Sequence, residues 1–419
     1  MNFSLPDFEN KDVVFVGKGK EGVSFETFIN THGAIKSFRF VDEKDGPNYL
    51  TNLQQLDLNG TIVVKTPGCP GRLMPVPYTT PTRVFFDCVN QLGAKTIGIT
   101  GTKGKTTTTS LMHFVLDNAG IEAKLCGNIG IPMLDALEGS TKATLFVVEL
   151  SSHQLAELGQ SPNIAIITNL FRDHMDYHGD IASYWEAKRN IMRYMDETNA
   201  VVYNPDSEMV LHWLADSKAQ AIAINPKEEV DMSKAKLFGE HNKLNYLMVR
   251  AAAELLEIDP ATIRNSLIHF EPVRHRLQSV RIVKGINYVD DAIGSTPEAT
   301  IAGIKALIHN IGPVGCVMLG GVDRTYDFTE LVELLHRIGI PKLVLFPDTG
   351  AIIKSMLPEA YTPETFSATD MREAVQWAAE HTPSGSICLL STAAPSTVLW
   401  SSFEEKGSLF QQEVMNLPS

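Results

Sequence analysis

Short apolar runs that end in a glycine or a polar residue recur along the chain, and they alternate with longer stretches of helical periodicity. The runs are Asp12–Val16 and Thr61–Lys65, then 96–100, Leu145–Glu149, 164–168 and Ala200–Tyr203, then Ile286–Asp290, 314–319, 342–346 and 386–390. An apolar run without polar alternation suits a strand buried on both faces, as in a parallel sheet. Between the runs, 106–118, 184–195 and the alanine-rich 242–256 read as helices, and another helix follows the last strand. Strands that alternate with helices predict an α/β protein. A Pro- and Thr-rich stretch at 74–81 and the segment Phe270-Glu271-Pro272-Val273 interrupt the pattern as boundaries. The economical division is three α/β domains at 1–90, 91–271 and 272–419: Rossmann-like, P-loop-type with a parallel sheet, and Rossmann-like again.

Length and charge narrow the picture. At about 150 residues per domain, 419 residues suit two or three domains. Lys and Arg total 36 against 49 Asp and Glu, and 36 − 49 gives −13. No basic excess exists to neutralise phosphates, so general affinity for nucleic acid or an anionic membrane is excluded. No apolar run approaches the ~20 residues that span a bilayer, and 1–20 lacks the apolar core of a signal peptide. Cys69, Cys88, Cys126, Cys316 and Cys388 are scattered without a CxxC pair, which indicates reduced thiols rather than a disulfide frame or a zinc site. These features predict a cytoplasmic enzyme, expected to act as a monomer without membrane insertion.

The sharpest chemical signal is Gly101-Thr102-Lys103-Gly104-Lys105-Thr106, with Thr107 continuing into a helix. Glycines let backbone N–H groups converge on phosphate oxygens, and a helix N-terminus favours anions. Lys105 is placed to reach the β- and γ-phosphates, and the Thr106 hydroxyl to ligate Mg²⁺. An ordinary Gly-Lys turn before a helix is the plain alternative. Glu149, at the end of a strand, can serve Mg²⁺ or simply favour the following helix. Asp173, His174, Asp176 and His178 crowd one loop, where oxygen donors with one imidazole suit Mg²⁺ or Mn²⁺ better than zinc. A solvated polar loop would look the same. Lys188, on the next helix, reads by itself as a surface lysine.

Gly17-x-Gly19-x-x-Gly22 follows the first strand, with Asp42 twenty residues beyond Gly22. This spacing matches a dinucleotide fingerprint, and such a loop can equally hold a UDP pyrophosphate or form a tight turn. In the last third, His275-Arg276, Asp290-Asp291, Asp323-Arg324, Ser391 and Ser396 fall at or near strand ends, where α/β folds bind ligands.

Taken in order, these motifs resemble the Mur ligase family. The anchors are Gly101 to Thr106, Gly127-Asn128-Ile129-Gly130, Glu149-Leu150-Ser151-Ser152-His153-Gln154, Asp173-His174-Met175-Asp176 and Ala187-Lys188. They continue with His241-Asn242, His275-Arg276, Gly320-Gly321 and Phe403-Glu404-Glu405-Lys406-Gly407, and the resemblance runs through nearly the whole chain. It implies three domains for UDP-sugar, ATP and amino acid, and a carboxylate activated as an acyl phosphate before an amine attacks it. It points most closely to members that add D-glutamate to UDP-N-acetylmuramoyl-L-alanine in peptidoglycan precursor synthesis.

The resemblance assigns ATP to Gly101, Thr102, Lys103, Gly104, Lys105, Thr106, Thr107, Asn242, Asn245, Arg276 and Asp291. One or two Mg²⁺ ions would fall to Thr106, Glu149, His174 and a carbamylated Lys188, with Asp173 beside them. The UDP-sugar substrate would meet Gly17, Lys20, Glu21, Lys44, Thr66 and Gly68. Its muramoyl-alanine end would meet Asn128, Ser151 and His153, and glutamate would meet Arg324, Ser396 and Phe403. Two departures stand out. Family members carry Asp-Ser-Lys-Ala-Thr where this chain has Asp291-Ala292-Ile293-Gly294-Ser295-Thr296, and Arg324 replaces a lysine. A guanidinium grips carboxylates in a fork that an ammonium cannot form, so addition of L-glutamate is the alternative. A nucleotide-driven switch without ligation is the more distant one.

Overall fold

The computed structural model describes residues 3–41, 58–171, 174–237, 239–271, 274–323, 326–396 and 399–418, with the side chains of Asp176 and Asn310 set aside. Asp42, Lys44, Asp173 and Arg324, all singled out above, lie outside the described residues. The chain forms two compact units, 1–235 with 241–270, and 236–240 with 271–419.

The first unit holds two sheets. β1 (Asp12–Val16), β2 (Ser37–Val41) and β3 (Thr61–Lys65) pair in parallel in the order β2-β1-β3, with α1 (Lys20–His32) after β1. α2 (Pro81–Leu92) begins at Thr80, whose hydroxyl accepts from the Arg83 N–H, and ends on Gly93 in the left-handed conformation. The helix therefore runs straight through the boundary expected at 90/91.

The second sheet comprises β4 (Lys95–Thr100), β5 (Ala123–Gly127), β6 (Leu145–Glu149), β7 (Ile164–Ile167), β8 (Ala200–Tyr203) and β9 (Gln220–Ala223), all parallel in the order β5-β6-β4-β7-β8-β9. β6 and β8 are buried at every position, which is why they read as apolar runs without alternation. Around the sheet lie α3 (Lys105–Asn118), α4 (Ser152–Leu155), α5 (Met175–His178), α6 (Ile181–Arg193), α7 (Glu208–Leu214), α8 (Glu240–Leu255) and α9 (Pro260–His269). Chain order reverses beside β4, so the loops after β4, β6 and β7 open on one crevice, the place where such sheets bind ligands. One apolar core joins both sheets through α2: Phe15, Phe25 and Phe28 belong to the same cluster as Phe85, Phe146 and Val148. The rings of Phe85 and Phe146 meet edge to face at 5.3 Å.

The second unit is one six-stranded sheet of β10 (Gln278–Val283), β11 (Ile286–Asp290), β12 (Val314–Gly321), β13 (Lys342–Asp348), β14 (Glu364–Ser367) and β15 (Ile387–Leu390), ordered β10-β11-β15-β12-β13-β14. β10 is antiparallel to β11, and the remaining pairs are parallel. α10 (Pro297–Asn310), α11 (Thr329–Ile338), α12 (Thr349–Ser355), α13 (Met371–His381) and α14 (Phe403–Met415) pack on it. All five cysteines are buried and none forms a disulfide. Among the described residues no helix is long and apolar enough to cross a membrane.

Candidate active site

β4 delivers the chain into the loop Gly101 to Gly104, and α3 leaves it. A Cβ on Gly101 would sit 1.9 Å from Thr168 Oγ1, and one on Gly104, at φ +83°, would sit 2.7 Å from Asn245 Oδ1. Only glycine lets the loop press against both neighbours. Thr168 Oγ1 and Asn169 Nδ2 donate to the Lys103 carbonyl at 2.6 and 2.9 Å, and Asn169 Oδ1 accepts from the Lys103 N–H at 2.8 Å. The β7 end thereby fixes the loop's shape. Thr106 is half-buried at the first turn of α3, whereas Thr107 turns into the core with 1% exposure.

A cleft lined by Thr102, Lys105, Asn128, Ser151, Ser152, His153, His174, Tyr184 and Lys188 opens beside this loop. Lys105 Nζ donates to the carbonyls of Gly101 and Thr102 at 3.0 and 3.1 Å. Lys188 Nζ donates to the same Gly101 carbonyl at 2.8 Å and lies 4.9 Å above the Tyr184 ring. Lys188 is 1% exposed, so the surface reading of that residue is wrong. Two cations thus gather within one crevice of an acidic chain.

The β6 end supplies the opposite charge. Glu149 is buried, its Oε1 accepts from Asn128 Nδ2 at 2.8 Å, and its Oε2 has no hydrogen-bond partner among the described residues. A buried carboxylate oxygen without a partner is costly unless a ligand satisfies it. Ser151 caps α4: its hydroxyl accepts from the Gln154 N–H, and Gln154 Oε1 accepts from the Ser151 N–H. His174 stands before α5 at φ +55°, a left-handed conformation uncommon outside glycine. The His153 ring stacks on Tyr177 at 3.7 Å and meets His174 edge-on at 5.0 Å. Among the described residues no three His, Cys, Asp or Glu side chains form a ready metal cage.

The structure therefore brings together Thr102, Lys105, Asn128, Ser151, His153, His174 and Lys188 from the sequence reading. It adds Ser152 and Tyr184. Tyr184 lies one helical turn before Lys188, a spacing that would have found it. Asn242 and Asn245, on α8, are buried and bonded to one another at 3.2 Å, with Asn245 against Gly104. Gly17 and Glu21 lie after β1, and Thr66 and Gly68 after β3. A Cβ on Gly17 would meet Thr66 Cγ2 at 2.4 Å, while one on Gly19 would meet nothing within 4 Å.

The second unit carries the remaining expected residues. Asp291 is buried, accepts from Ser391 Oγ at 2.7 Å and from the Leu277 N–H at 3.3 Å, and burial pushes its carboxyl up to about 7. Asp290 accepts from Gln411 Nε2 at 2.8 Å and pairs with His275 Nδ1 at 2.7 Å. Lys406 is fully buried, donates to Thr392 Oγ1 at 2.5 Å, and is pushed down to about 8 by burial. Four buried side-chain atoms of this unit have no hydrogen-bond partner among the described residues, Arg276 Nε, Tyr288 Oη, Thr382 Oγ1 and Ser396 Oγ, and the first and last of them belong to expected site residues. Phe403 opens α14, its ring 6.4 Å from that of His275.

A glycine loop at a helix N-terminus, flanked by two lysines and a buried acid on a parallel sheet, has the chemistry to cradle a nucleotide's phosphates. The profile of the Mur ligase middle domain matches residues 99–258, which contain the whole cleft. The UDP-N-acetylmuramoylalanine–D-glutamate ligase of Streptococcus mutans is 31% identical, with 97% of each chain covered. The enzyme of that name from Streptococcus pneumoniae is 31% identical over 99% of both chains. Among solved structures, the UDP-N-acetylmuramate–alanine ligase MurC of Thermotoga maritima superposes with TM-score 0.64 at 20% identity, covering 96% of this chain and 99% of that one. MurF of Thermotoga maritima, in complex with ADP, gives 0.62 at 16% identity, covering 99% and 98%. The chain belongs to the Mur ligase family.

Proposed function

We propose that this chain is an ATP-dependent amide ligase that joins D-glutamate to UDP-N-acetylmuramoyl-L-alanine in peptidoglycan precursor synthesis. The observation that carries the reading is the cleft itself: Lys105, Lys188, Asn128, His174 and the glycine loop stand around one space, on a chain alike along its full length to ligases named for this reaction. We assign the UDP-sugar to 1–90, ATP to 91–271 and glutamate to 272–419, with the reaction in the cytoplasm on a monomer.

Both reactants are anions, so the residues must first offset charge. Backbone N–H groups of the loop, with Lys105, hold the triphosphate, and Asn242, Asn245, Arg276 and Asp291 hold the nucleoside. Lys20, Glu21, Lys44 and Thr66 hold the UDP end, and Asn128, Ser151 and His153 aim the alanyl carboxylate at the γ-phosphorus. Transfer gives an acyl phosphate and ADP. Arg324, Ser396 and Phe403 present the glutamate amine, which attacks the acyl carbon as inorganic phosphate leaves and the amine loses a proton.

Glu149 Oε2, buried without a hydrogen-bond partner among the described residues, supports a divalent cation there, because hard ions take carboxylate and hydroxyl oxygens. Thr106, Glu149, His174 and Lys188, with Asp173 beside them, would hold Mg²⁺, which supplies neutralisation of phosphate charge. Lys188 would do so as a carbamate, formed when its amine adds to carbon dioxide and releases a proton.

The test is ATP-dependent phosphate release with UDP-N-acetylmuramoyl-L-alanine and each glutamate enantiomer. Release with D-glutamate is expected. Release with L-glutamate alone would move the assignment to the other enantiomer, and silence with both would overturn the substrate.

A further inference from the structure

The short helices that carry cleft residues also hold the loop of the neighbouring three-stranded sheet. Tyr177, on α5 three residues after His174, is 8% exposed and its hydroxyl donates to the Cys69 carbonyl at 3.1 Å. Its own carbonyl accepts from Arg72 Nε at 3.1 Å. One residue of the cleft side thus grips both ends of the 69–72 turn that follows Thr66 and Gly68. Its ring lies stacked on His153, which lines the cleft.

A second tie runs parallel to the first. Glu157, just beyond α4, stands 3.1 Å from the fully buried Lys65 Nζ and accepts from Tyr78 Oη at 3.1 Å. Lys65 ends β3 and immediately precedes Thr66. A Cβ on Gly71 would lie 2.2 Å from both Glu157 Oε1 and Tyr78 Oη, so the turn is packed hard onto this pair. Gln154, on α4 as well, donates to Glu21 Oε1 at 3.1 Å, at the start of α1. Both substrate-side loops of the small sheet therefore rest on the two helices that shape the cleft.

We infer that Tyr177 and Glu157 are positioning residues that set the register between the nucleotide-sugar loop and the phosphate cleft, so that filling one site tightens the other. The inference rests on the assignment of UDP-sugar to the 66–69 loop and ATP to the cleft. A ligand on Thr66 and Gly68 fixes the 69–72 turn. The turn fixes Tyr177, and through Tyr177 the stacked His153 and the neighbouring His174. Coupling of this kind is reciprocal by necessity.

The experiment is calorimetric titration of the full chain with UDP-N-acetylmuramoyl-L-alanine, with and without a saturating non-hydrolysable ATP analogue and Mg²⁺. In the natural protein the analogue should tighten the UDP-substrate Kd by about fivefold or more, the lower end of ordinary coupling. Tyr177→Phe keeps the ring on His153 and removes one hydrogen bond. It should leave both ligands binding while the ratio of the two Kd values falls toward one. Glu157→Gln should lower the ratio as well. A merely structural role would lower Tm or weaken both ligands without moving the ratio. An unchanged ratio in both variants, or no coupling in the natural protein, overturns the inference and leaves the functional reading standing. Failure of the natural protein to bind either ligand overturns both.

Discussion

The two six-stranded sheets treat charge in opposite ways. At the carboxyl ends of the all-parallel sheet, Lys105, Lys188 and His174 face a cleft, and Glu149 keeps an oxygen without a hydrogen bond. In the second unit the buried charged groups are hydrogen-bonded within the unit. His275 pairs with Asp290, Asp291 takes Ser391 Oγ, and Lys406 reaches Thr392 beside both aspartates. A buried ion without compensation costs several kcal/mol. The second unit offsets only part of that cost with hydrogen bonds, since burial still raises Asp291 and lowers Lys406, and Ser396 Oγ and Arg276 Nε are among the buried atoms left without a partner among the described residues. A buried charged group can thus either line an open cleft or be tied by hydrogen bonds into the scaffold, and under the proposed function the first arrangement suits a phosphate chain and the second an amino acid.

The contrast can be broken in four places. Lys105→Ala should lower kcat by about 10²–10³-fold, the usual effect of removing one preorganised donor to developing charge, and steady-state phosphate release measures it. Activity near the natural level would detach the cleft from the chemistry. Lys188→Ala should lower activity by about 10–100-fold, the scale for disturbed metal ligation, and added acetate or formate should restore part of it. Full activity without rescue would remove the carbamate.

The third place is Asp291. Its folded carboxyl is raised to about 7 from an ordinary 3.8, so its contribution to stability is complete below about 3.8 and is lost as pH rises toward 7. Asp291→Asn should flatten that decline in urea midpoints measured between these values, and an unchanged slope would show that the decline has another source. The smallest effect is expected at Ser396. Ser396→Ala removes one neutral donor, so the glutamate KM should rise by about tenfold and the KM for ATP should hold. Equal rises in both would place Ser396 outside the amino-acid site.

Most of the strands were legible because burial on both faces leaves an unmistakable apolar run. β5 and β9 escaped: Ala123–Gly127 carries a lysine at its second position, and Gln220–Ala223 is a largely exposed edge. β10 and β14 are sheet edges as well, with polar residues on the open side, so their pattern is weak. The phosphate loop was legible because glycine, lysine and a helix start are local in sequence. The network of His275, Asp290, Gln411 and Lys406 was not, since β11 and α14 meet only through folding across more than a hundred residues. Lys188 shows the same limit from the other side. Its burial is a property of the fold, and only its resemblance to a family position suggested a role.

The helix α2 makes the two sheets of the first unit structurally inseparable. Because Phe85 and its neighbours belong to a core that both sheets of the first unit share, the three-stranded end is not a cassette. Exchanging it for another module would expose one half of that core and orphan the other. Point changes in the loops after β1 and β3 leave this shared core intact, whereas a change in the buried face of α2 disturbs both sheets at once.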